Sequence, residues 1–251
     1  MVIVINLKLV KSLKTKKGRD EHGLFIIEGA KPVAEIPSNW HVCAYICAES
    51  YAHVPAKAIV VSDSRFASLS DTVTPQGIMA VCKKQTFELE DVLSENPFVL
   101  IGEVLSDPGN IGTLIRTAAA AGADGVILSE GSGDIYNPKT IRAAAGASLR
   151  IPVIEQVNLK ELIPKLKALG IKVLATHLSG EFSPYDVNLQ QGCAILVGNE
   201  ARGLSDEISA LADVCVKLPM ARDVESLNAS VAGGVLLYEV LRQRRCKKLT
   251  H

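Results

Sequence analysis

The chain has 251 residues, of which 48% are hydrophobic and 22% are charged, a balance typical of globular rather than disordered proteins. Its formal net charge is zero and only 4% of its residues are aromatic, which disfavours an RNA-binding surface built on stacked rings. The short apolar start lacks a preceding basic region, and no run reaches about 18 apolar residues. We therefore expect no secretory signal, no membrane helix and a cytoplasmic location.

Positive charge is concentrated at the two ends of the chain. Residues 1–22 hold six lysines and arginines against two acids, and residues 242–251 hold five and no acid. Basic ends on a neutral body suit a polyanion such as RNA, although solvated termini would have the same composition. The candidate RNA-binding residues are Lys14, Lys16, Lys17 and Arg19.

The six cysteines do not form a metal-binding pattern. None belongs to a CxxC pair, and no histidine follows at the spacing of a zinc site, which needs such ligand pairs. We expect no metal, and thiols buried in a reducing compartment explain these cysteines best.

Residues 1–95 predict a small α/β domain. The polar segment KSLKTKKGRDEHG predicts a helix, LFIIEGAKPVAEI a strand running into a helix, and AYICAES, AIVVSD and GIMAVCKK short strands. ELEDVLSENP predicts a linker that ends in a turn at Pro97, because Pro and Asn favour turns.

From residue 98 to residue 251, apolar strands alternate with helices. The predicted strands are FVLIGEVLS, DGVILSE, RIPVIE, IKVLATH, CAILVGNE and DVCVKLPM, and the predicted helices are NIGTLIRTAAAAG, NPKTIRAAAGA, LKELIPKLKALG, SDEISALA and ESLNASVAGGVLLYEVLRQRR. Gly122 should end the first of these helices, and Asn137 with Pro138 should begin the second. Continuous apolar strands with helices between them predict a parallel sheet covered on both faces.

Polar, glycine-rich loops follow four of these strands, and ligands bind at the carboxyl ends of strands in open parallel sheets. The loops are SDPGNIG, THLSGEF, GNEARGLS and PMARDVESLNAS. The fingerprints GxGxxG, GxxxxGK[ST] and GxSxG are absent from the sequence, which disfavours dinucleotide-binding, P-loop and α/β-hydrolase chemistry.

The loops resemble the three motifs of the SpoU (TrmH-like) RNA 2′-O-ribose methyltransferases, within the SPOUT superfamily. The matching segments are SDPGNIGTLIRTAAAAGADGVIL, ILVGNEARGLSDEI and VKLPMARDVESLNASVAGGVLLYEV. The N-terminal segments KTKKGRDEHGLFIIEGAKPVAE and TPQGIMAVC resemble the family's substrate-binding domain, a ribosomal-protein-like α/β module. The resemblance implies a substrate-binding domain over residues 1–95 and a catalytic domain over residues 98–251.

This resemblance implies methyl transfer from S-adenosylmethionine to a ribose 2′-hydroxyl, in ribosomal RNA because of the N-terminal domain. A transfer-RNA enzyme with the same chemistry and a non-catalytic RNA-binding or assembly factor with the same fold are the alternatives. The resemblance also implies a trefoil knot that holds the cofactor, and a homodimer paired through the final helix.

The resemblance places five catalytic residues. A planar guanidinium at Arg116 can hold a phosphate and the nearby ribose in a fixed orientation, and because a guanidinium keeps its proton in proteins, the residue is better suited to positioning than to proton abstraction. Asn110 would cap its helix or hold the arginine or the RNA, while Glu200 would orient Arg116 or the hydroxyl, cap SDEISALA, or pair with Arg202. The catalytic set is Asn110, Arg116, Glu200, Ser226 and Asn228.

The remaining motif residues are expected to hold the cofactor. Gly198 would let the backbone approach the ligand, and the apolar residues of the third motif would form the adenine pocket. The expected cofactor-binding set is Thr176, His177, Gly198, Leu218, Pro219, Met220 and Leu227. Asn228 is expected inside the final helix, where asparagine is unfavourable without a functional reason, and the small residues after it suit either a dimer face or tight packing within the chain.

Overall fold

The computed structural model describes residues 5–177, 180–221 and 226–246. The strands are β1 (Leu24–Glu28), β2 (Val42–Ala48), β3 (Ile59–Val61), β4 (Ile78–Lys83), β5 (Phe98–Gly102), β6 (Gly125–Ser129), β7 (Val153–Val157), β8 (Lys172–Thr176), β9 (Cys193–Val197) and β10 (Val214–Val216). The helices are α1 (Leu7–Ser12), α2 (Lys16–His22), α3 (Ala30–Ala34), α4 (Asp63–Leu69), α5 (Pro108–Ala121), α6 (Pro138–Ala144), α7 (Leu159–Ala168), α8 (Asp206–Ser209) and α9 (Ala229–Cys246).

The strands form two sheets. A four-stranded mixed sheet has the order β1-β4-β2-β3, and a six-stranded sheet has the order β10-β8-β9-β5-β6-β7. Every pairing in the second sheet is parallel, which confirms the fold class expected from the alternating apolar strands. The knot, which the resemblance implied, stays a prediction, as does the division of the chain at residues 95–98.

One buried hydrophobic cluster contains residues of both sheets. Phe25 and Trp40 from the first part belong to the same buried cluster as Phe98 from the second. Tyr136 lies against Phe25 with ring centroids 4.5 Å apart, and Trp40 Nε1 donates a hydrogen bond of 2.8 Å to the Leu149 carbonyl. Because these apolar contacts are buried and the Trp40 donor is satisfied, they hold the first part against the second.

The segment predicted as a linker is packed against the second sheet. Residues Leu89–Val92 form a 3₁₀ turn, and Val92 is fully buried. A Cβ atom at Gly125 would lie 2.1 Å from Val92 Cγ1, so the valine occupies the space that a side chain on β6 would need. In the sequence, the apolar pair Val92 and Leu93 was the signal for this packing, because a free linker has no need of apolar side chains to bury.

The helix ends confirm two sequence expectations and correct two others. Gly122 ends α5 in the left-handed conformation with φ +78°, and the Asn137 side chain caps α6. The cap of α5 is Asp107, whose carboxylate accepts from the Asn110 amide at 2.8 Å, so Asn110 is not the capping residue. Asn228 precedes α9 rather than lying inside it, and its Oδ1 accepts from the Ser230 amide, as a helix-capping asparagine does.

Candidate active site

A cavity of ≈ 280 Å³ opens at the carboxyl ends of β8, β9 and β10. Its wall is formed by residues from the second and third motif loops and from the end of β8. The expected cofactor residues that line it are Thr176, His177, Gly198, Leu218, Met220 and Leu227. Pro219 is exposed and is not part of the wall, so its expected side-chain role is not supported. Residues 178–179 and 222–225 lie outside the described residues.

The backbone around Gly198 explains why glycine occurs there. A Cβ atom at this position would lie 2.1 Å from the Leu204 amide nitrogen and 2.2 Å from the Gly203 carbonyl carbon. The loop closes on itself through paired hydrogen bonds between Asn199 and Gly203. Glycine is therefore required by this turn of the cavity wall, whereas the sequence argument assigned its open space to the ligand.

Glu200 lies at the rim of the cavity, beside the N-terminus of α5. Its carboxylate accepts hydrogen bonds from the Ser106 hydroxyl at 3.0 Å, from the Ser106 and Asp107 amides at 3.3 and 3.1 Å, and from Asn110 Nδ2 at 3.2 Å. A helix N-terminus also favours a negative charge. Glu200 forms no ion pair with Arg202 or with any other described cation, and Ser205 caps α8 in its place.

Asn110 connects Glu200 to the third motif. Its Nδ2 donates to Glu200, and its Oδ1 accepts from Asn228 Nδ2 at 3.0 Å. The structure therefore brings Asn110, Glu200 and Asn228 into one hydrogen-bonded chain, and Ser226 lines the cavity next to it. Because each amide has both of its ends engaged, the side chains are held in one orientation.

The hydrogen bonds also set the charge of Glu200. Partial burial raises the pKa of this carboxyl, but donation from its own backbone amide, from Asn110, from Asp107 and from Ser106 outweighs burial and lowers the pKa below the ordinary glutamate value. Hydrogen bonds to the charged form have this effect. Glu200 is therefore a fixed anion that orients its donors, and it is poorly suited to accept a proton at neutral pH.

Arg116 lies apart from the hydrogen-bonded chain of Glu200, Asn110 and Asn228. It lies on α5 six residues after Asn110, which is about 240° around a helix of 3.6 residues per turn. Its side chain is exposed and makes no hydrogen bond or ion pair with any residue that the structure describes. It lines a separate groove with Ala123 and Arg150 rather than the cavity. Within one chain, Glu200 does not orient Arg116.

The structure adds residues that the sequence argument did not single out. Ser106 and Asp107 supply three of the donors around Glu200, and Asn199 Nδ2 donates to the Val104 carbonyl at 2.8 Å. Arg202 and Lys217 add two cations to the cavity wall. All five stand in the quoted motif loops, and the only available signal was their position after a strand.

The basic N-terminal segment is less open than its composition indicated. The Arg19 guanidinium is 2% exposed and pairs with Asp134 at 2.6 Å, so the expectation that it contacts RNA is wrong: burial and pairing leave it no free donor face. Lys14 Nζ donates to the Ser70 carbonyl at 2.6 Å. Lys16 and Lys17 are exposed, although Lys16 pairs with Asp20. RNA binding by the three lysines stays a prediction.

The cavity fits S-adenosylmethionine by the chemistry of its wall. Leu218, Met220 and Leu227 offer an apolar face to a flat base, and the loop from Gly198 to Gly203 offers backbone donors and acceptors. When bound, the cofactor would supply an electrophilic methyl group. Among the described residues, no cluster of three or more His, Cys, Asp or Glu could hold a metal ion, and no described helix is long and apolar enough to cross a membrane.

A parallel sheet with a ligand cavity at its carboxyl edge and a fixed carboxylate–amide chain beside it is the arrangement of an enzyme that binds a cofactor at the ends of its strands. Residues 97–238 match the SpoU rRNA methylase family, and residues 6–80 match the MRM3-like substrate binding domain. The chain belongs to the SpoU rRNA methylase family and uses S-adenosylmethionine.

Similar proteins cover nearly the whole chain. The 23S rRNA (guanosine(2553)-2′-O)-methyltransferase RlmP of Bacillus subtilis is 34% identical over 236 residues, 92% of this chain and 93% of that protein. The 23S rRNA (uridine(2479)-2′-O)-methyltransferase of Streptomyces viridochromogenes is 27% identical, over 92% and 87%. The crystal structure of AviRb from Streptomyces viridochromogenes with AdoMet superposes with a TM-score of 0.88 at 26% identity, over 97% of this chain and 99% of that one.

Proposed function

We propose that this protein transfers the methyl group of S-adenosylmethionine to the 2′-hydroxyl of a ribose in ribosomal RNA, and that it acts in the cytoplasm. The observation that carries this proposal is the hydrogen-bonded chain Glu200–Asn110–Asn228 at the rim of the cofactor cavity. Relatives that span both parts of the chain are named as ribosomal RNA 2′-O-methyltransferases, which supports ribosomal over transfer RNA.

The residues of this chain would contribute position rather than proton transfer. The cavity wall would hold the cofactor beside the fixed anion Glu200, whose lowered pKa keeps it charged. Asn110 and Asn228 each use one of their two Nδ2 hydrogens in the hydrogen-bonded chain, and the second hydrogen of each would be presented in a fixed orientation to the incoming ribose and phosphate. Placing the 2′-oxygen in line with the transferred methyl group lowers the barrier chiefly through orientation. Arg116 would hold the RNA, because a guanidinium fork binds a phosphate through two donors.

A second copy of the chain would bring Arg116 to a cofactor cavity. Arg116 is exposed and points away from the cavity of its own chain, so the site is incomplete without a further partner. The final helix also leaves large apolar side chains exposed: the exposed fraction is 50% for Val231 and 51% for Tyr238. Leu227, just before the helix, is 40% exposed. Gly233 is not part of this face, since a Cβ atom there would lie 2.5 Å from Leu114 Cδ2 of α5.

The homodimer has a direct test. Tyr238→Glu would place a charge in the proposed interface, and burial of an unpaired carboxylate is costly. In sedimentation velocity we expect a dimer for the wild type and a monomer for the variant. In the methylation assay we expect the variant to have reduced turnover. Lys165→Glu on the distant, exposed face of α7 is the control and should stay dimeric. A wild type that sediments as a monomer at the assay concentration contradicts the dimer.

The activity is tested by transfer of a labelled methyl group to purified 23S ribosomal RNA and to transfer RNA, with excess chelator present. We expect methylation of the ribosomal RNA alone, mapped to one nucleotide, and no methylation of an RNA with a 2′-deoxy sugar at that nucleotide. Methylation of transfer RNA alone would favour the transfer-RNA alternative. Cofactor binding by calorimetry without methylation of either RNA would favour the non-catalytic factor.

A further inference from the structure

Arg19 is a buried cation whose contacts join the first part of the chain to the second. On α2, its Nε and Nη2 lie 2.7 and 2.6 Å from Asp134 Oδ2. Its Nη1 donates to the Leu13 and Lys14 carbonyls at 2.8 and 3.0 Å. A buried ion pair gains little net stability, because desolvation offsets the attraction, whereas removal of one partner is strongly destabilising. The pair therefore fixes a geometry more than it adds stability.

Asp134 belongs to residues 129–137, which we call the bridging segment and which run from the last residue of β6 to the start of α6. Inside the segment, Asp134 Oδ1 accepts from the Tyr136 amide at 2.8 Å. The Gly133 amide donates to the Leu105 carbonyl at 2.8 Å. A Cβ atom at Gly133 would lie 2.8 Å from Ile111 Cδ1, so the segment lies directly against the turn that precedes α5.

That turn holds the Glu200 carboxylate, and its backbone is strained. Val104 has φ +48°, a conformation that is unfavourable for a branched residue and persists only where neighbours impose it. The Ser129 hydroxyl accepts from the Val104 amide at 2.8 Å. Ser106 follows Val104 by two residues in the same turn, and the backbone amides of Ser106 and Asp107 donate to Glu200. The bridging segment therefore contacts the turn at two points, through Ser129 and through Gly133.

We propose that Arg19 is a positioning residue of the methyl-transfer site, acting through Asp134 and the bridging segment on the turn whose amides hold Glu200. The placement of the first part of the chain and the geometry of the catalytic carboxylate are then coupled by one continuous set of contacts. This inference rests on the proposed function, since it assigns Arg19 a part in the same reaction.

The test compares two substitutions at contacts between the parts. Arg19→Met removes the contact to the bridging segment and keeps a side chain of similar length. Trp40→Phe is the matched control: it removes the hydrogen bond from Trp40 Nε1 to the Leu149 carbonyl, a contact outside the bridging segment. At saturating cofactor and RNA, we expect kcat to fall about tenfold for Arg19→Met and less than about twofold for Trp40→Phe. Cofactor affinity should stay within about twofold of wild type for both.

Hydrogen exchange supplies a readout that does not depend on turnover. In Arg19→Met the amides of Ser106 and Asp107 should exchange about tenfold faster, and in Trp40→Phe they should exchange as in wild type. Arg19→Lys keeps the charge but has a single point donor in place of the fork, so its effects should fall between the two. It also serves as the second variant if Arg19→Met fails to fold, as judged by thermal unfolding.

A double-mutant cycle decides whether Arg19 acts through Glu200. If it does, Arg19→Met should cause no further loss of rate in a Glu200→Gln background under single-turnover conditions. If the rate losses of Arg19→Met and Glu200→Gln multiply in the double variant, Arg19 does not act through Glu200, and the positioning role is overturned. Equal losses of kcat in Arg19→Met and Trp40→Phe would also overturn it, provided that the wild type methylates RNA. Wild-type protein that methylates no RNA would contradict the proposed function instead, and unchanged exchange at Ser106 and Asp107 would then overturn this inference as well.

Discussion

Two regions of α5 carry motif residues with opposite surroundings. At its N-terminal end Asn110 has both ends of its amide engaged, by Glu200 and by Asn228. Six residues later Arg116 is exposed, with no partner among the described residues. The first arrangement fixes a side chain before any ligand arrives, and the second leaves a cation available for one.

The same contrast occurs in the basic N-terminal segment. Arg19 is buried and has four donor contacts, whereas Lys17, two residues earlier on the same helix, is exposed. Positive charge in a sequence therefore does not indicate which cations can reach a polyanion. A side chain whose donors are already engaged shapes the protein, and a side chain with open donors can bind a substrate.

The largest expected effect follows the loss of Arg116, the exposed motif residue of α5. Arg116→Ala should lower the single-turnover rate about 100-fold or more, because a misplaced substrate loses the advantage of orientation. Its cofactor affinity by calorimetry should match wild type, since Arg116 does not line the cavity. Arg116→Lys should restore little, because an ammonium cannot reproduce the planar fork. A near-normal rate for Arg116→Ala would remove Arg116 from the mechanism.

Mixed dimers show which copy supplies the arginine. A mixed dimer of Arg116→Ala and Asn228→Ala, co-expressed and purified together, should be more active than either variant alone if Arg116 acts on the partner's cavity. One site of such a dimer would combine an intact cavity with an intact arginine. Absence of recovery would indicate that Arg116 acts within its own chain.

A smaller effect is expected from the loss of Asn110, the motif residue of α5 whose amide is hydrogen-bonded at both ends. Asn110→Ala removes the donor to Glu200 and the acceptor for Asn228, so we expect the single-turnover rate to fall about tenfold. The free energy of unfolding should fall by about 1 kcal/mol for the lost hydrogen bonds. Thr113→Ala, an exposed position on the same helix, is the control and should change neither quantity. Equal effects of the two substitutions would show that the hydrogen-bonded chain has no special role.

The N-terminal contrast predicts a modest change in RNA affinity. Lys16→Gln with Lys17→Gln should weaken RNA binding a few-fold and reduce its salt dependence by roughly one unit of slope per lost phosphate contact. Lys14→Gln should lower stability more than RNA affinity, since Lys14 Nζ is engaged by the Ser70 carbonyl. RNA titrations at several salt concentrations measure both, with Lys165→Gln as the control. An unchanged slope for the double variant would exclude this segment from the RNA contact.

The smallest expected effect is a dependence of stability on pH. Because hydrogen bonds lower the pKa of Glu200 in the folded protein, the stabilising contribution is complete above the ordinary glutamate pKa of about 4.3. It is lost as the pH falls through the lowered value. The difference in the free energy of unfolding between wild type and Glu200→Gln should therefore be constant near neutral pH and shrink in acid. Urea denaturation measures it, and a difference that grows in acid would reverse the sign of the pKa shift.

Much of the architecture followed from local patterns. From residue 98 onward the order of strands and helices, the glycine end of α5 and the asparagine cap of α6 agree with the sequence expectations, because apolar periodicity and capping act between residues close in the chain. In residues 1–95 the predicted strands are found, but the first predicted helix is divided into α1 and α2, and α4 was not predicted. The cap of α5 was misassigned to Asn110, since Asp107 and Asn110 are both good capping residues and the sequence does not show which one the backbone reaches.

The sequence by itself determined the fold class, the strand ends at which a site would form, and the family, because these depend on patterns read along the chain. Only the tertiary structure decided which residues touch. Asn110 lies 90 residues from Glu200 and 118 from Asn228, and Arg19 lies 115 from Asp134. Contacts at such separations depend on how the helices and strands pack, and they turned one expected RNA contact into a buried ion pair and one expected capping residue into the centre of the site.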